Sequence, residues 1–299
     1  MKVYTKEIIA EIEKNYLAGK KVNRSENIFY QRIEYTRKAG IKYLMDNDEL
    51  EEYIKCKLSV HYFAEKYCKI KIEDGSIGPM KLRDYQKEAI EHFVKNKFSI
   101  FFRSRQVGLQ VVMCITFLHE MLFNKDKSIL LVSYKGESNK EIVRGIKNIY
   151  ALLPFFLKQG IVNWNEKQMA FENGSRLLTY CPTKEFGIGF DPDIVFLNDF
   201  SKMPNAERIY DTLVPIISSK KDSKLVIHSG PNGFNFFYGL VQNSERPIMD
   251  PSKNSFETMR TYWWQVAGRD HKWKAEQIKM IGSEAMFNQE YDLCWITII

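Results

Sequence analysis

Apolar residues recur every three or four positions in KEIIAEIEKNYL (6–17) and again in YFAEKYCKI (62–70), which predicts a helix at each place. Between them AGKKVNRSENIFYQR (18–32) is polar and basic and reads as a loop entering a further helix. The run EDGSIGPM (73–80) carries Asp-Gly and Gly-Pro turn chemistry and marks a boundary near residue 80. Beyond it the pattern changes. FSIFFR (98–103), SILLVSY (128–134), DIVFLND (193–199) and SKLVIHS (223–229) are short apolar runs that read as strands, and SFETMRTYWW (255–264) as one more. VVMCITFLHEMLF (111–123) and NKEIVRGIKNIYALL (139–153) keep the helical period, and QMAFENGSRLLTYC (168–181) reads as a hairpin turning at Asn173-Gly174. Strands that are apolar on both faces and alternate with helices predict an α/β fold with a mainly parallel, doubly covered sheet. The expected organisation is a helical N-terminal arm over 1–80 and an α/β domain over 81–299.

In such sheets ligands bind beyond the C-terminal strand ends. Three strands turn polar there, at Arg103 to Arg105, at Asn198-Asp199 and at His228-Ser229, so these residues are expected to converge. The first of these ends runs RSRQVGLQ into a helix, the layout of a phosphate-binding turn. Taken alone it is a weak signal, because one glycine between a strand and a helix is commonly structural.

Composition narrows the classes. The 299 residues are 44% hydrophobic and 27% charged, enough for one large domain or a domain with an appendage. A net charge of +7 permits nucleic-acid binding without requiring it. The cysteines at 56, 68, 114, 181 and 294 form no CxxC pair, which points to reduced thiols, and the scattered histidines offer no zinc spacing. The charged N-terminus is unlike a signal peptide, and no window supplies the roughly 18 apolar residues of a membrane span. Lys20, Lys21 and Arg24 read first as a solvated loop and second as a DNA-phosphate contact. Lys220, Lys221 and Lys224 read as exposed caps, and Trp263, Trp264 and Trp273 as core packing ahead of base stacking. The abrupt apolar end, LCWITII, suggests a truncated or split chain.

LRDYQKEAI, SRQVGL, IVFLNDFSKMPN, SGPNG and GRD followed by FNQEYD occur in the order and spacing of the large terminase subunit of tailed phages. The resemblance is closest to the packaging ATPase half of the T4-like group and covers roughly residues 45–299. It implies a P-loop NTPase-type sandwich, ATP and Mg²⁺ as ligands, and double-stranded DNA as substrate. As partners it implies a portal protein, a small terminase subunit and a homo-oligomeric ring. It places the protein in the host cytoplasm, transiently at the procapsid portal, with no membrane. The family's nuclease domain would begin about where this chain stops, so no nuclease activity is expected. By resemblance Tyr85 and Gln86 contact adenine. The family's deviant loop, which starts on a lysine at the strand end, matches Arg103, Ser104, Arg105, Gln106 and Gly108, with Gln110 at the Mg²⁺-binding hydroxyl. Its arginine before the second acidic strand falls on Ile188, its acidic pair on Asn198-Asp199, and its coupling motif on Ser229, Gly230 and Asn232. The catalytic set carried over is Asp199, Asn198 and Arg105, and the metal positions are Gln110 and Asn198.

The departures share a direction. Arg103 keeps a positive charge but is forked and larger than lysine. Gln110 removes a hydroxyl and suits a compact octahedral Mg²⁺ shell poorly. Asn198 removes a negative charge, Asp199 is one methylene shorter than glutamate, and Ile188 and Gly230 lose an arginine and a threonine. Together these predict weak or lost ATP hydrolysis on a kept fold. The rival expectation is a non-catalytic paralogue, a structural or regulatory protein that binds DNA or a portal.

Overall fold

The structure is a computed structural model and describes residues 3–18, 27–72, 75–182, 189 and 191–297. Ile188 and the basic cluster Lys20, Lys21 and Arg24 lie outside the described residues. In chain order the first elements are β1 (Val3–Tyr4), α1 (Lys6–Leu17), β2 (Lys42–Tyr43), α2 (Asn47–Leu58), α3 (Val60–Tyr67), β3 (Lys69–Lys71) and β4 (Ile77–Pro79). Next come α4 (Asp84–Lys95), β5 (Phe98–Arg103), α5 (Leu109–Phe123), β6 (Ser128–Ser133), α6 (Gly136–Leu152), β7 (Ile161–Trp164), β8 (Gln168–Phe171) and β9 (Arg176–Tyr180). The last are β10 (Ile194–Asn198), α7 (Ala206–Ser219), β11 (Lys224–Ser229), α8 (Phe236–Ser244), β12 (Glu257–Thr261), α9 (His271–Ile281) and α10 (Glu284–Glu290). An eight-stranded, mainly parallel sheet has the order β12-β5-β11-β10-β6-β9-β8-β7, and β1-β2 and β3-β4 are separate ribbons.

The chain divides into two compact units. One comprises Met1–Leu82, Met113–Lys127 and Ile142–Leu177. Its N-terminal part packs Ile9 of α1 with Tyr4, Ile28, Phe29 and Phe155. Asp46 starts α2 through a capping box: its Oδ1 accepts from Glu49 N at 2.8 Å, and Glu49 Oε2 accepts from Asp46 N at 3.3 Å. The helix expected through YFAEKYCKI stops at Tyr67, and Lys69–Lys71 instead pairs antiparallel with Ile77–Pro79 around the expected turn. Period alone does not separate a short apolar strand from the last turn of a helix. The hairpin at Asn173-Gly174 is present, with Gly174 at φ 85°. Strand β7, antiparallel to β8, was not expected.

The other unit comprises Arg83–Val112, Ser128–Glu141 and Leu178–Ile299. Here β12, β5, β11, β10 and β6 pair in parallel. One sheet face puts Ile100, Phe102, Val195, Leu197, Leu225 and Ile227 against Leu213 and Ile217 of α7 and Phe237 and Val241 of α8. Phe101, Phe196 and Val226, alternating with them, are also fully buried, and for that reason the strands read as continuous apolar runs. Helix α7 escaped the sequence pattern because Pro215 sits inside it. Trp263 packs with Trp273, Phe287 and Tyr291, whereas Trp264 is half exposed and stacks on Tyr262 with centroids 4.2 Å apart. Lys221 is exposed, but Lys220 and Lys224 are half-buried. The Lys224 ammonium caps the end of α4, donating to the carbonyls of Phe93, Val94 and Asn96 at 2.8, 2.9 and 3.0 Å.

Candidate functional site

Parallel strands in register end along one line. Asn198 lies opposite His228, Ser229 opposite Phe102, and Arg103 opposite Thr261. The expected convergence at the strand ends follows. Arg103 donates from Nη2 to Asp199 Oδ1 at 2.8 Å and from Nε to His228 Nε2 at 3.2 Å. His228 Nδ1 donates to Asn198 Oδ1 at 2.8 Å. A nitrogen that accepts from a guanidinium carries no proton, so the ring is neutral with its proton on Nδ1. Burial first, and the Arg103 charge second, push the His228 pKa well below the ordinary imidazole value. Burial also pulls Arg103 down, and Asp199 opposes it.

Asn198 and Asp199 part company because the strand ends between them. Asp199 has φ 53°, a left-handed conformation that Asp tolerates better than most residues. Asn198 keeps the strand alternation and points to the side of His228, with 1% exposure. Asp199 lines a cleft of about 430 Å³. A single turn, Phe200–Lys202, follows and is pinned from β11. Ser201 N donates to Ser229 Oγ at 3.0 Å, and Asn232 Nδ2 donates to the Ser201 carbonyl at 3.1 Å. Two of the three expected coupling residues therefore hold the turn that carries Asp199. At the third, Gly230, an added Cβ would sit 3.2 Å from the Arg103 carbonyl.

The loop from Arg103 to Gly108 is shaped by left-handed residues, Gln106 at φ 55° and Gly108 at φ 74°. Its carbonyls are taken by side chains. Tyr85 Oη donates to Val107 O at 2.7 Å, Gln86 Nε2 to Gly108 O at 3.4 Å, and Arg269 Nη2 to Gln106 O at 2.9 Å. Tyr85 and Gln86 are both buried in this supporting position. In a trans peptide N–H and C=O point opposite ways, so the N–H groups of Val107, Gly108 and Leu109 turn away from those partners. The first turn of a helix leaves such N–H groups without intrahelical partners, and an anion is a ligand they commonly take. Ser104 N donates to Thr261 O at 2.8 Å and Arg105 N to Glu290 O at 3.0 Å. The Arg105 side chain is bonded to both Glu290 oxygens, which raises its pKa.

Three cations, Arg103, Arg105 and Lys202, and three carboxylates, Glu141, Asp199 and Glu290, line the cleft together with Gln106 and Gln110. This donor set fits a polyphosphate. It fits Mg²⁺ poorly: Gln110 offers only a carboxamide, Asn198 Oδ1 is committed to His228, Asp199 Oδ1 and both Glu290 oxygens are bonded to arginines, and Glu141 is left as one carboxylate. Among the described residues no three His, Cys, Asp or Glu side chains are grouped to hold a metal ion. Sequence reasoning gave no role to Lys202, Glu141, Glu290 or Arg269. Glu290 and Arg269 stand in FNQEYD and GRD, stretches noticed for their order alone. The sequence placed His228 at a converging strand end, but nothing in it tells that the ring bonds Arg103 on one side and Asn198 on the other.

Residues 100–297 match the family model for the terminase large subunit, T4likevirus-type, N-terminal. The ATPase domain of the Thermus phage P74-26 large terminase superposes with a TM-score of 0.58 at 18% identity, over 72% of this chain and 94% of that one. For the HK97 bacteriophage large terminase the TM-score is 0.62 at 13% identity, over 79% and 54%. For the large terminase of a thermophilic bacteriophage in complex with ADP it is 0.52 at 11% identity, over 72% and 54%. The chain spans about half the length of these last two proteins. At such identities the likeness is one of fold, and that fold is the mainly parallel α/β type expected from the strand pattern.

Proposed function

The chain belongs to the T4-like large terminase subunits, matched over residues 100–297, and from that premise we propose that it is the ATPase-type part of a viral DNA-packaging motor. In this reading the cleft takes a nucleoside polyphosphate and hydrolyses it weakly or not at all. The observation that carries the reading is the contact of Arg103 with Asp199 at 2.8 Å beside a left-handed loop that opens a helix. Cations from two strand ends and the N–H groups of the loop would hold the phosphates. A solved terminase structure at 11% identity contains ADP, which supports the ligand class.

Weak turnover follows from the same contacts. An attacking water needs a carboxylate that is free to orient it. Asp199 is the carboxylate at the strand end, and its Oδ1 is held by Arg103. Asn198, buried against His228, supplies none. The burial of Asn198 equally favours the second reading, a non-catalytic terminase paralogue with a structural or regulatory role. Either way the proposed partners are double-stranded DNA, a portal protein, a small terminase subunit and further copies in a ring. The proposed location is the cytoplasm of an infected host, transiently at the procapsid portal. Among the described residues no helix is long and apolar enough to cross a membrane.

Two assays test this. Calorimetric titration with a non-hydrolysable ATP analogue is expected to show binding, and its absence removes the nucleotide reading. Phosphate release from ATP, with and without DNA, is expected to stay far below about one per second. Turnover near that rate, abolished by Asp199→Ala, would overturn the weak-hydrolysis reading.

A further inference from the structure

Each arginine of the cleft is held by the protein yet keeps donors to spare. Arg103 uses Nε on His228 and one Nη2 hydrogen on Asp199. Arg105 spends Nε and one Nη2 hydrogen on Glu290. A guanidinium carries five N–H donors, so three remain on each for an incoming phosphate, without either carboxylate being displaced. Lys202 also lines the cleft and has no carboxylate partner among the described residues.

The oxygen donors are arranged the opposite way. A divalent cation that travels with a polyphosphate is usually held by one or two protein carboxylates besides the phosphate oxygens. Glu290 gives both oxygens to Arg105, and Asp199 gives Oδ1 to Arg103. A dication on Asp199 would stand beside a guanidinium fixed 2.8 Å from that carboxylate, a like-charge contact. Asn198, next along the chain, cannot substitute, because its oxygen accepts from His228 and the residue is 1% exposed. Glu141 is left as one carboxylate, and it comes from helix α6 rather than from a strand end.

We propose that this cleft binds its nucleoside polyphosphate without a divalent metal, the phosphate charge being met by Arg103, Arg105, Lys202 and the N–H groups of the loop. The inference rests on the nucleotide site proposed above and goes beyond it, since resemblance to the family implies Mg²⁺ as well as ATP. The Asn198–His228 pair gives a physical reason for the change. The position that resemblance assigns to a metal ligand now steadies the ring that holds Arg103, and the cation of the site becomes part of the protein.

The test is calorimetric titration of the full chain with a non-hydrolysable ATP analogue, once in excess Mg²⁺ and once in EDTA. The two dissociation constants are expected to agree within about threefold, a difference well under the 1.4 kcal/mol of a tenfold change. Arg103→Gln is expected to weaken binding about tenfold or more in both buffers alike. Binding that is tenfold or more weaker in EDTA than in Mg²⁺ overturns the proposal while leaving the nucleotide site standing. If that loss in EDTA vanishes in Glu141→Gln, the metal is held at Glu141. An absence of binding in both buffers overturns this proposal and the nucleotide reading together.

Discussion

Arg103 joins two strand ends by bonding His228 through Nε and Asp199 through Nη2, and only a planar fork reaches both. Arg103→Lys keeps the charge but leaves His228 Nε2, which is buried, without its donor. Unpaired buried acceptors cost about 1–3 kcal/mol, so urea unfolding is expected to show a loss of that size, and an unchanged midpoint would contradict the network. Asn198→Asp probes the same ring from the other side. A carboxylate at the position of Oδ1, 2.8 Å from His228 Nδ1, favours the imidazolium. The His228 ring signals, followed by NMR, are expected to titrate at higher pH than in the unmodified protein. A pKa no higher than that of the unmodified protein would show that Asn198 does not govern the ring.

At the scale of elements, single groups decide where helices and strands stop. The ammonium of Lys224, on β11, satisfies three carbonyls at the end of α4. These are groups that a helix C-terminus leaves without partners. Lys224→Met retains much of the apolar stem and loses the donors. It is expected to lower stability by about 1–3 kcal/mol in chemical denaturation. The hairpin between β8 and β9 depends on Gly174. An added Cβ there would lie 1.9 Å from Asp126 Oδ1, and φ is 85°. Gly174→Ala is expected to cost about 1–3 kcal/mol from strain and the forced shift together. A variant as stable as the parent would show that the turn rearranges. Asn173-Gly174 was legible as this turn from sequence, because the residue types fit a left-handed backbone. The β3–β4 ribbon was not legible, because three residues per strand are too few for a period to show.

For the whole molecule, stability against pH carries a signature of one buried cation. Lys158 is 4% exposed and donates to the carbonyls of Tyr35 and Ala151 at 2.8 and 3.0 Å. Burial pushes its pKa from 10.5 down to about 8, with Glu13 opposing. A base whose folded pKa is lowered binds fewer protons folded than unfolded between those two values. Stability therefore rises with pH across about 8 to 10.5, by on the order of 3 kcal/mol from this group. The test compares the parent with Lys158→Met over that range. Their stability difference should shift in favour of the parent as pH rises, and a flat difference would place the Lys158 pKa near its ordinary value.

The sequence by itself determined the alternation of apolar strands and helices, the strand ends where polar residues gather, and the order of stretches that identifies the family. These are local properties: burial on two faces dictates apolar runs, and turns select their residue types. Sequence could also say that Gln110 and Asn198 lack the groups expected of metal ligands. Only the tertiary structure decided what Asn198 does instead. The left-handed turn at Asp199 ends the strand alternation, and so the Asp199 carboxylate reaches the cleft while the Asn198 amide turns to His228. That choice depends on the register of β10 against β11 and on a histidine 30 residues away. Pairing across such a distance follows from packing the whole sheet, which no local pattern encodes.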